Sequence, residues 1–161
     1  MLPNEQEALE HFLFTLEWLL AVTARYPGSD VQMGLIHVDF GDPRVLGEFY
    51  GAQRASQRLQ EVTQCLRRAF RKTDLVARDG EDFWILTPYT PVTDKLSDKA
   101  MHITRIASKN GLEFVERDIS IFSLADVVAL SKDRNASQFL LYLKDNHIPL
   151  SRSERILPAT D

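Results

Sequence analysis

The stretch RKTDLVARDGEDFWILTPYT, residues 71–90, decides how the chain is read. Two strand-like runs, Leu75–Ala77 and Phe83–Leu86, flank a short turn that holds Gly80, Glu81 and Asp82. Aromatic and β-branched residues around a Gly/Asp cluster predict a β-hairpin. Adjacent carboxylates at a hairpin tip present oxygens to a hard cation such as Mg²⁺. An acidic solvated turn is the plainer explanation of the tip taken alone.

The residues around the tip carry more. Arg71 and Asp74 form an RxxD, Arg78 follows, and Phe83, Leu86, Pro88 and Thr90 mark the strand that leaves the turn. In this spacing the stretch resembles the signature of the GGDEF family, the diguanylate cyclases, which runs roughly RxxDxxxRxGGDEFxxLLPxT. The turn departs from it. Asp74 to Phe83 is one residue shorter than the family spacing, and DGEDF stands where xGGDEF is expected.

Composition bounds the rest. A chain of 161 residues suffices for one domain with a real core. Its 44% hydrophobic and 26% charged residues are ordinary for a globular protein. A net charge of −4 gives no support for nucleic-acid binding. The single cysteine, Cys65, excludes an intrachain disulfide framework and suits a reducing compartment. It falls on a helix and reads as a small buried hydrophobe. The N-terminus carries Glu5, Glu7 and Glu10 and lacks a basic region of the kind that opens a signal peptide. Leu9–Val22 is strongly apolar, yet it is too short for a membrane span and is interrupted by Glu10, His11 and Glu17. A cytoplasmic protein is expected.

Along the chain, a helix is predicted from about Glu5 to Arg25, with Asn4 as N-cap and Glu7 as capping-box partner. Leu9, Phe12, Leu13, Leu16, Leu19 and Leu20 form one apolar face, and Phe14 and Trp18 widen it. Two explanations fit that width: a helix buried on two sides, or an interface with a second copy or a partner protein. Val31–Phe40 reads as a buried strand and a loop with Gly41, Asp42 and Pro43 follows. Residues 44–72 read as mostly helical, with Ala52, Ala55, Leu59, Val62, Leu66 and Phe70 toward a sheet. Arg67, Arg68, Arg71 and Lys72 crowd its C-terminal turn, where cations suit the helix dipole. After the hairpin come a helix over Thr93–Asn110, a strand or hairpin over Leu112–Leu124, and a short helix over Ala125–Leu130. A further helix is predicted over Ala136–Lys144, capped by Asn135, and residues 150–161 read as a flexible polar tail. This order gives a single α+β domain, 1–161, of sandwich type. The resemblance implies the same: a ferredoxin-like, nucleotide-cyclase palm with a central antiparallel sheet flanked by helices, here without the sensor module that usually accompanies it.

The resemblance also implies a chemistry, and the residues for it are damaged. Joining two GTP molecules needs a 3′-hydroxyl to attack an α-phosphate, with Mg²⁺ to activate the nucleophile and offset charge. In the family a metal-ligating Asp ends the first strand, in a pattern like xDxDxFKxxND. Asp39 and Phe40 match its second Asp and its Phe, but His37 stands at the metal-binding Asp. Imidazole is a poor ligand for Mg²⁺. The family's Lys becomes Gly41, and its guanine-reading Asn falls near Val45. Glu81 corresponds to the family's variable Asp/Glu ligand, and Asp82 replaces the following Glu with one methylene fewer. Leu141, Tyr142 and Lys144 resemble a C-terminal LYxAKxxGRN pattern, one residue short, with His147 near its Arg. Placement within about half an ångström governs such chemistry. His37, Asp39, Glu81 and Asp82 are therefore expected to be vestigial, with no functional catalytic residue, no metal and no cofactor.

The RxxD is a separate matter. In the family, a similarly placed RxxD is the inhibitory site for cyclic di-GMP. Arg71 suits a bidentate pair to guanine or phosphate, and Asp74 suits the guanine Watson–Crick edge. Arg67, Arg68 and Arg78 are near in sequence, and Arg67 and Arg78 join the expected ligand-binding set. Capping and pairing within the fold explain the same residues without a ligand. Three functions therefore stand side by side. One is a non-catalytic regulatory module that binds cyclic di-GMP. Another is a protein-interaction domain that pairs through helix 5–25. The last is a residual diguanylate cyclase that makes cyclic di-GMP from GTP with Mg²⁺. No nucleic acid and no membrane span enter any of them.

Overall fold

The structure is a computed structural model that describes residues 3–26, 33–39, 47–48, 51–88, 102–103, 105–106, 109 and 117–156. Alternation along its strands explains the architecture. In β1 (Met33–Asp39) Ile36 and Val38 face one way while Leu35 and His37 face the other, and all four are buried. A strand covered on both faces needs helices on both sides. Five strands make one sheet in the order β2 (Leu75–Asp79), β3 (Asp82–Pro88), β1, β4 (Arg117–Ser123), β5 (Arg152–Ile156), with every neighbouring pair antiparallel. This is the expected α+β sandwich with a central antiparallel sheet.

On one face, Ile36, Val38, Val76, Phe83, Ile85, Ile119 and Ile121 pack under α2 (Ala52–Ala69). Its buried stripe, Ala55, Leu59, Val62 and Leu66, keeps the i, i+4, i+7 spacing that put it on one helix face. Cys65 and Phe70 are partly buried against this cluster, and Ile103 and Ile106 belong to it. The rest of the Thr93–Asn110 expectation, and the loop at residues 41–43, lie outside the described residues.

On the other face, α1 (Pro3–Arg25) lays Leu9, Phe12, Leu16 and Leu20 against Leu35, Ala77, Trp84, Leu86 and Phe122. The same cluster takes in Leu124 and Val127 of α3 (Leu124–Val127) and Phe139, Leu140 and Leu143 of α4 (Ala136–Asp145). Each such side chain contributes roughly 1.5–3 kcal/mol by leaving water. A 3₁₀ turn, Val128–Ser131, joins α3 to α4. Asn135 caps α4 as its sequence predicts: its side chain accepts from the Gln138 amide at 2.8 Å and the Gln138 side chain accepts from the Asn135 amide at 2.8 Å.

Three sequence expectations are revised. The first helix begins at Pro3, so Asn4 lies inside it rather than at its N-cap. Phe14 and Trp18 are 76% and 59% exposed, which excludes burial of α1 on two sides within this chain. Residues 152–156, read as part of a flexible tail, form the edge strand β5 beyond a short helix, α5 (His147–Leu150). An edge strand is held by backbone hydrogen bonds to one neighbour, so a polar run with no apolar alternation can still be a strand.

Candidate functional site

The register of the sheet brings acidic residues to one rung. Asp79 opposes Asp82, Asp82 opposes Asp39, Asp39 opposes Asp118, and Asp118 opposes Arg155. Like charges directly opposite on neighbouring strands repel, so such a row needs cations. Asp82 has two donors in reach. His37 Nε2 lies 2.8 Å from its Oδ1, and the Lys144 ammonium donates to its Oδ2 at 2.9 Å. An ionised carboxylate only accepts, so the His37 Nε2 facing it carries the proton.

Each partner is positioned by its element. His37 is two residues before the end of β1, is buried, and lies opposite Trp84. The two rings stack with centroids 4.2 Å apart, which fixes the imidazole plane. Lys144 sits in the last turn of α4. Nearby, His147 Nδ1 lies 2.9 Å from the Lys144 carbonyl. Arg134 stands over the Tyr142 ring at 4.1 Å.

The protonation of the pair follows from these contacts. Burial pushes the Asp82 carboxyl up, but the hydrogen bonds from His37 and Lys144 outweigh it and hold the group below its usual 3.8. Burial pulls the Lys144 ammonium down, and the hydrogen bond to Asp82 outweighs that, leaving it above its usual 10.5. Asp39 and Asp145 add to the same direction. The result is an ion pair that is charged across the neutral range.

At the tip, Gly80 adopts φ +62° between the paired residues Asp79 and Asp82, so Gly80 and Glu81 alone make the loop. Positive φ at the first of two central residues is the type II′ pattern, which matches the twist of the flanking strands. A hairpin closed this tightly leaves Glu81 in the turn while Asp82 has entered β3.

A second site lies along the edge of the sheet. A groove of about 330 Å³ is lined by Arg67, Arg71, Lys72, Asp74, Leu75 and Val76, with Ala8, His11 and Phe12 of α1 as its other wall. Asp74 is buried, and its Oδ2 accepts from the Arg71 amide at 3.0 Å while its own amide donates to the Arg71 carbonyl at 2.9 Å. These bonds lock the 71–74 turn and fix where Arg71 leaves the backbone. Arg71, Arg67 and Lys72 are exposed. Arg67 also reaches the Val76 carbonyl at 3.5 Å.

The structure therefore brings Arg67, Arg71 and Asp74 together, as expected, and leaves Arg78 out. Arg78 is buried; its Nη1 contacts both carboxylate oxygens of Glu5 at 3.3 and 3.4 Å, and its Nε donates to the Gly80 carbonyl at 2.8 Å. It ties the first turn of α1 to the hairpin. His11 was not singled out from sequence, because only the approach of α1 to β2 makes it a groove residue. The Lys144–Asp82 contact was hidden for the same reason. Phe40, Gly41 and Val45 lie outside the described residues.

An antiparallel sheet between two helical layers, with an acidic rung at the strand end next to a short hairpin, defines a nucleotide-cyclase palm domain. The sequence matches the profile described as diguanylate cyclase, GGDEF domain, over residues 13–145, and the chain belongs to that family. Similar solved structures share the fold at low identity. The GGDEF domain of YfiN (TpbB) from Pseudomonas aeruginosa is 14% identical with a TM-score of 0.54, covering 94% of this chain and 96% of that one. The GGDEF domain of DgcB from Caulobacter crescentus, solved with cyclic di-GMP, is 17% identical with a TM-score of 0.57, covering 78% and 86%. SiaD from Pseudomonas aeruginosa, a diguanylate cyclase solved with its activator SiaC, is 15% identical with a TM-score of 0.51, covering 81% and 54%. No curated protein matches the chain.

The family's chemistry uses Mg²⁺, and the residues here suit it poorly. His37 offers nitrogen where a hard cation wants oxygen. Each oxygen of Asp82 already has a partner, one of them a full positive charge. Among the described residues, no cluster of three or more His, Cys, Asp or Glu side chains forms a metal-binding set. No described helix is long and apolar enough to cross a membrane.

Proposed function

We propose that this GGDEF domain is a non-catalytic regulatory module that binds cyclic di-GMP in the groove beside Arg71. The observation that carries the reading is the groove itself: three cationic side chains, Arg67, Arg71 and Lys72, around one cavity large enough for part of a dinucleotide. The ligand carries two phosphates and two guanines. Arg71 supplies a fork for guanine O6 and N7 or for phosphate, and Arg67 and Lys72 supply phosphate charge. Asp74 works mainly by holding the Arg71 turn, which makes the guanidinium preorganised rather than newly ordered on binding. DgcB, solved with cyclic di-GMP, lends the fold-level precedent.

The non-catalytic part of the reading is supported by the acidic rung. His37 in place of a carboxylate, Asp82 committed to an ion pair, and a shortened tip all act against placing a metal and two nucleotides. Calorimetric titration with cyclic di-GMP tests the binding. The intact chain is expected to bind, and Arg71→Ala to lose roughly tenfold or more, as for a hydrogen bond to a charged group. No binding by either protein sinks the ligand assignment. Robust cyclic di-GMP formation from GTP with Mg²⁺ or Mn²⁺ sinks the non-catalytic one.

A second reading is favoured by one observation. Phe14 and Trp18, one helical turn apart on α1, are both exposed. Large apolar side chains placed together on a surface mark protein contacts. SiaD, with its activator SiaC, is a neighbour in fold that binds another protein. In this reading the domain works through a second copy or a partner seated on α1.

A further inference from the structure

We propose that the outward face of α1 is a seam that takes a second copy of this chain in antiparallel alignment, with Glu7 of one copy against Arg25 of the other and Phe14 against Trp18. The inference rests on the second reading above, whose partner and alignment it names, and is independent of ligand binding at Arg71.

Spacing carries the first half of the argument. One side of α1 is given to the core through Leu9, Phe12, Leu16 and Leu20. On the opposite side Glu7, His11, Phe14, Trp18, Ala21 and Arg25 are all exposed. They follow one another in steps of four and three residues, the period of a seam between two helices. At about 100° per residue, all six point within roughly 40° of the direction opposite the core stripe. The seam runs roughly 27 Å along the helix.

Charge and size fix the alignment. The seam is acidic at its N-terminal end, aromatic in the middle and basic at its C-terminal end. A two-fold axis at the level of Leu16 sets Glu7 opposite Arg25 of the second copy, and symmetry makes that contact twice. The same axis sets Phe14 beside Trp18 of the second copy, again twice, so four rings meet at the centre of the seam. His11 then faces Ala21 of the second copy, a ring against a methyl group. Glu10 and Glu17 are exposed on the rim of the seam, where their carboxylates stay in water. A parallel pair would set Glu7 against Glu7 and Arg25 against Arg25, placing like charges at both ends. One helix face is a small contact, so the pair is weak and depends on concentration.

Sedimentation equilibrium in low salt tests this, with the chain at up to about 200 µM to populate a weak pair. Every substituted residue is exposed in the single chain, so the variants keep the fold. The unsubstituted chain is expected to pair, and Phe14→Ser/Trp18→Ser to stay monomeric. Arg25→Glu, which turns both end contacts repulsive, is expected to loosen the pair by roughly fivefold or more. Glu7→Arg/Arg25→Glu, which exchanges the charges, is expected to return to within about threefold of the unsubstituted chain. In a parallel pair the exchanged variant would still face like with like and gain nothing. A chain that is monomeric throughout overturns the proposal, while a different protein on α1 stays open to the second reading. Pairing that Phe14→Ser/Trp18→Ser abolishes, but that charge reversal and exchange leave unmoved, overturns the alignment alone. Pairing that survives Phe14→Ser/Trp18→Ser lies on another surface and overturns the seam.

Discussion

At the scale of single residues, Asp82 is the hinge of the candidate site. Its carboxyl titrates below its usual value, so its contribution is complete above the unfolded value near 3.8 and is lost as pH falls through the lower folded one. Lys144 works in the opposite sense. Its value is raised, so its contribution is complete below about 10.5 and is lost as pH climbs through the raised one. Asp82→Asn should therefore flatten both the acid and the alkaline limb of a plot of urea midpoint against pH, and a variant whose limbs match those of the parent chain would refute the pairing. The sequence disclosed half of this site. His37 and Asp82 could be placed by the family pattern, because the pattern runs along the chain. The pattern also matched Lys144, but not its contact with Asp82, since Lys144 lies 62 residues from Asp82 and only packing of α4 brings it near.

At the scale of elements, α1 is joined to the hairpin by a buried ion pair. Arg78 and Glu5 have side chains only 7% and 5% exposed. Removing one partner of such a pair leaves a charge without water or counter-ion, at a cost of about 3 kcal/mol. Glu5→Ala should lower the melting temperature by roughly 6–12 °C, whereas Glu5→Leu/Arg78→Met should restore most of the loss. Equal destabilisation by the single and double variants would show that the pair itself is not the cause. Most elements were legible because their signals are local. The alternation in β1, the stripe of α2 and the Asn135 cap each lie within a few residues. Two were misread for physical reasons. Segment 152–156 has no apolar alternation and becomes a strand only because β4 offers an edge. Arg78 follows the family spacing toward the RxxD, yet a carboxylate 73 residues away claims its guanidinium.

At the scale of the whole molecule, the domain presents two candidate surfaces on one helix. His11 and Phe12 face the groove, and Phe14 and Trp18 face outward. Phe14→Ser/Trp18→Ser should leave stability within about 0.5 kcal/mol, because both side chains are already in water. Sedimentation velocity on the same variant should report a smaller particle if a second copy covers α1, and an unchanged mass for both proteins would argue against self-pairing there. The Glu5–Arg78 tie gives this arrangement a mechanical meaning. The helix is fastened at Glu5 and again through the core by Leu9, Phe12, Leu16 and Leu20, so it is held along its length. At about 1.5 Å per residue, His11 stands roughly 9 Å from Glu5 and Trp18 roughly 20 Å. One rigid rod thus carries both a wall of the groove and the exposed Phe14 and Trp18, and a displacement of either is a displacement of both.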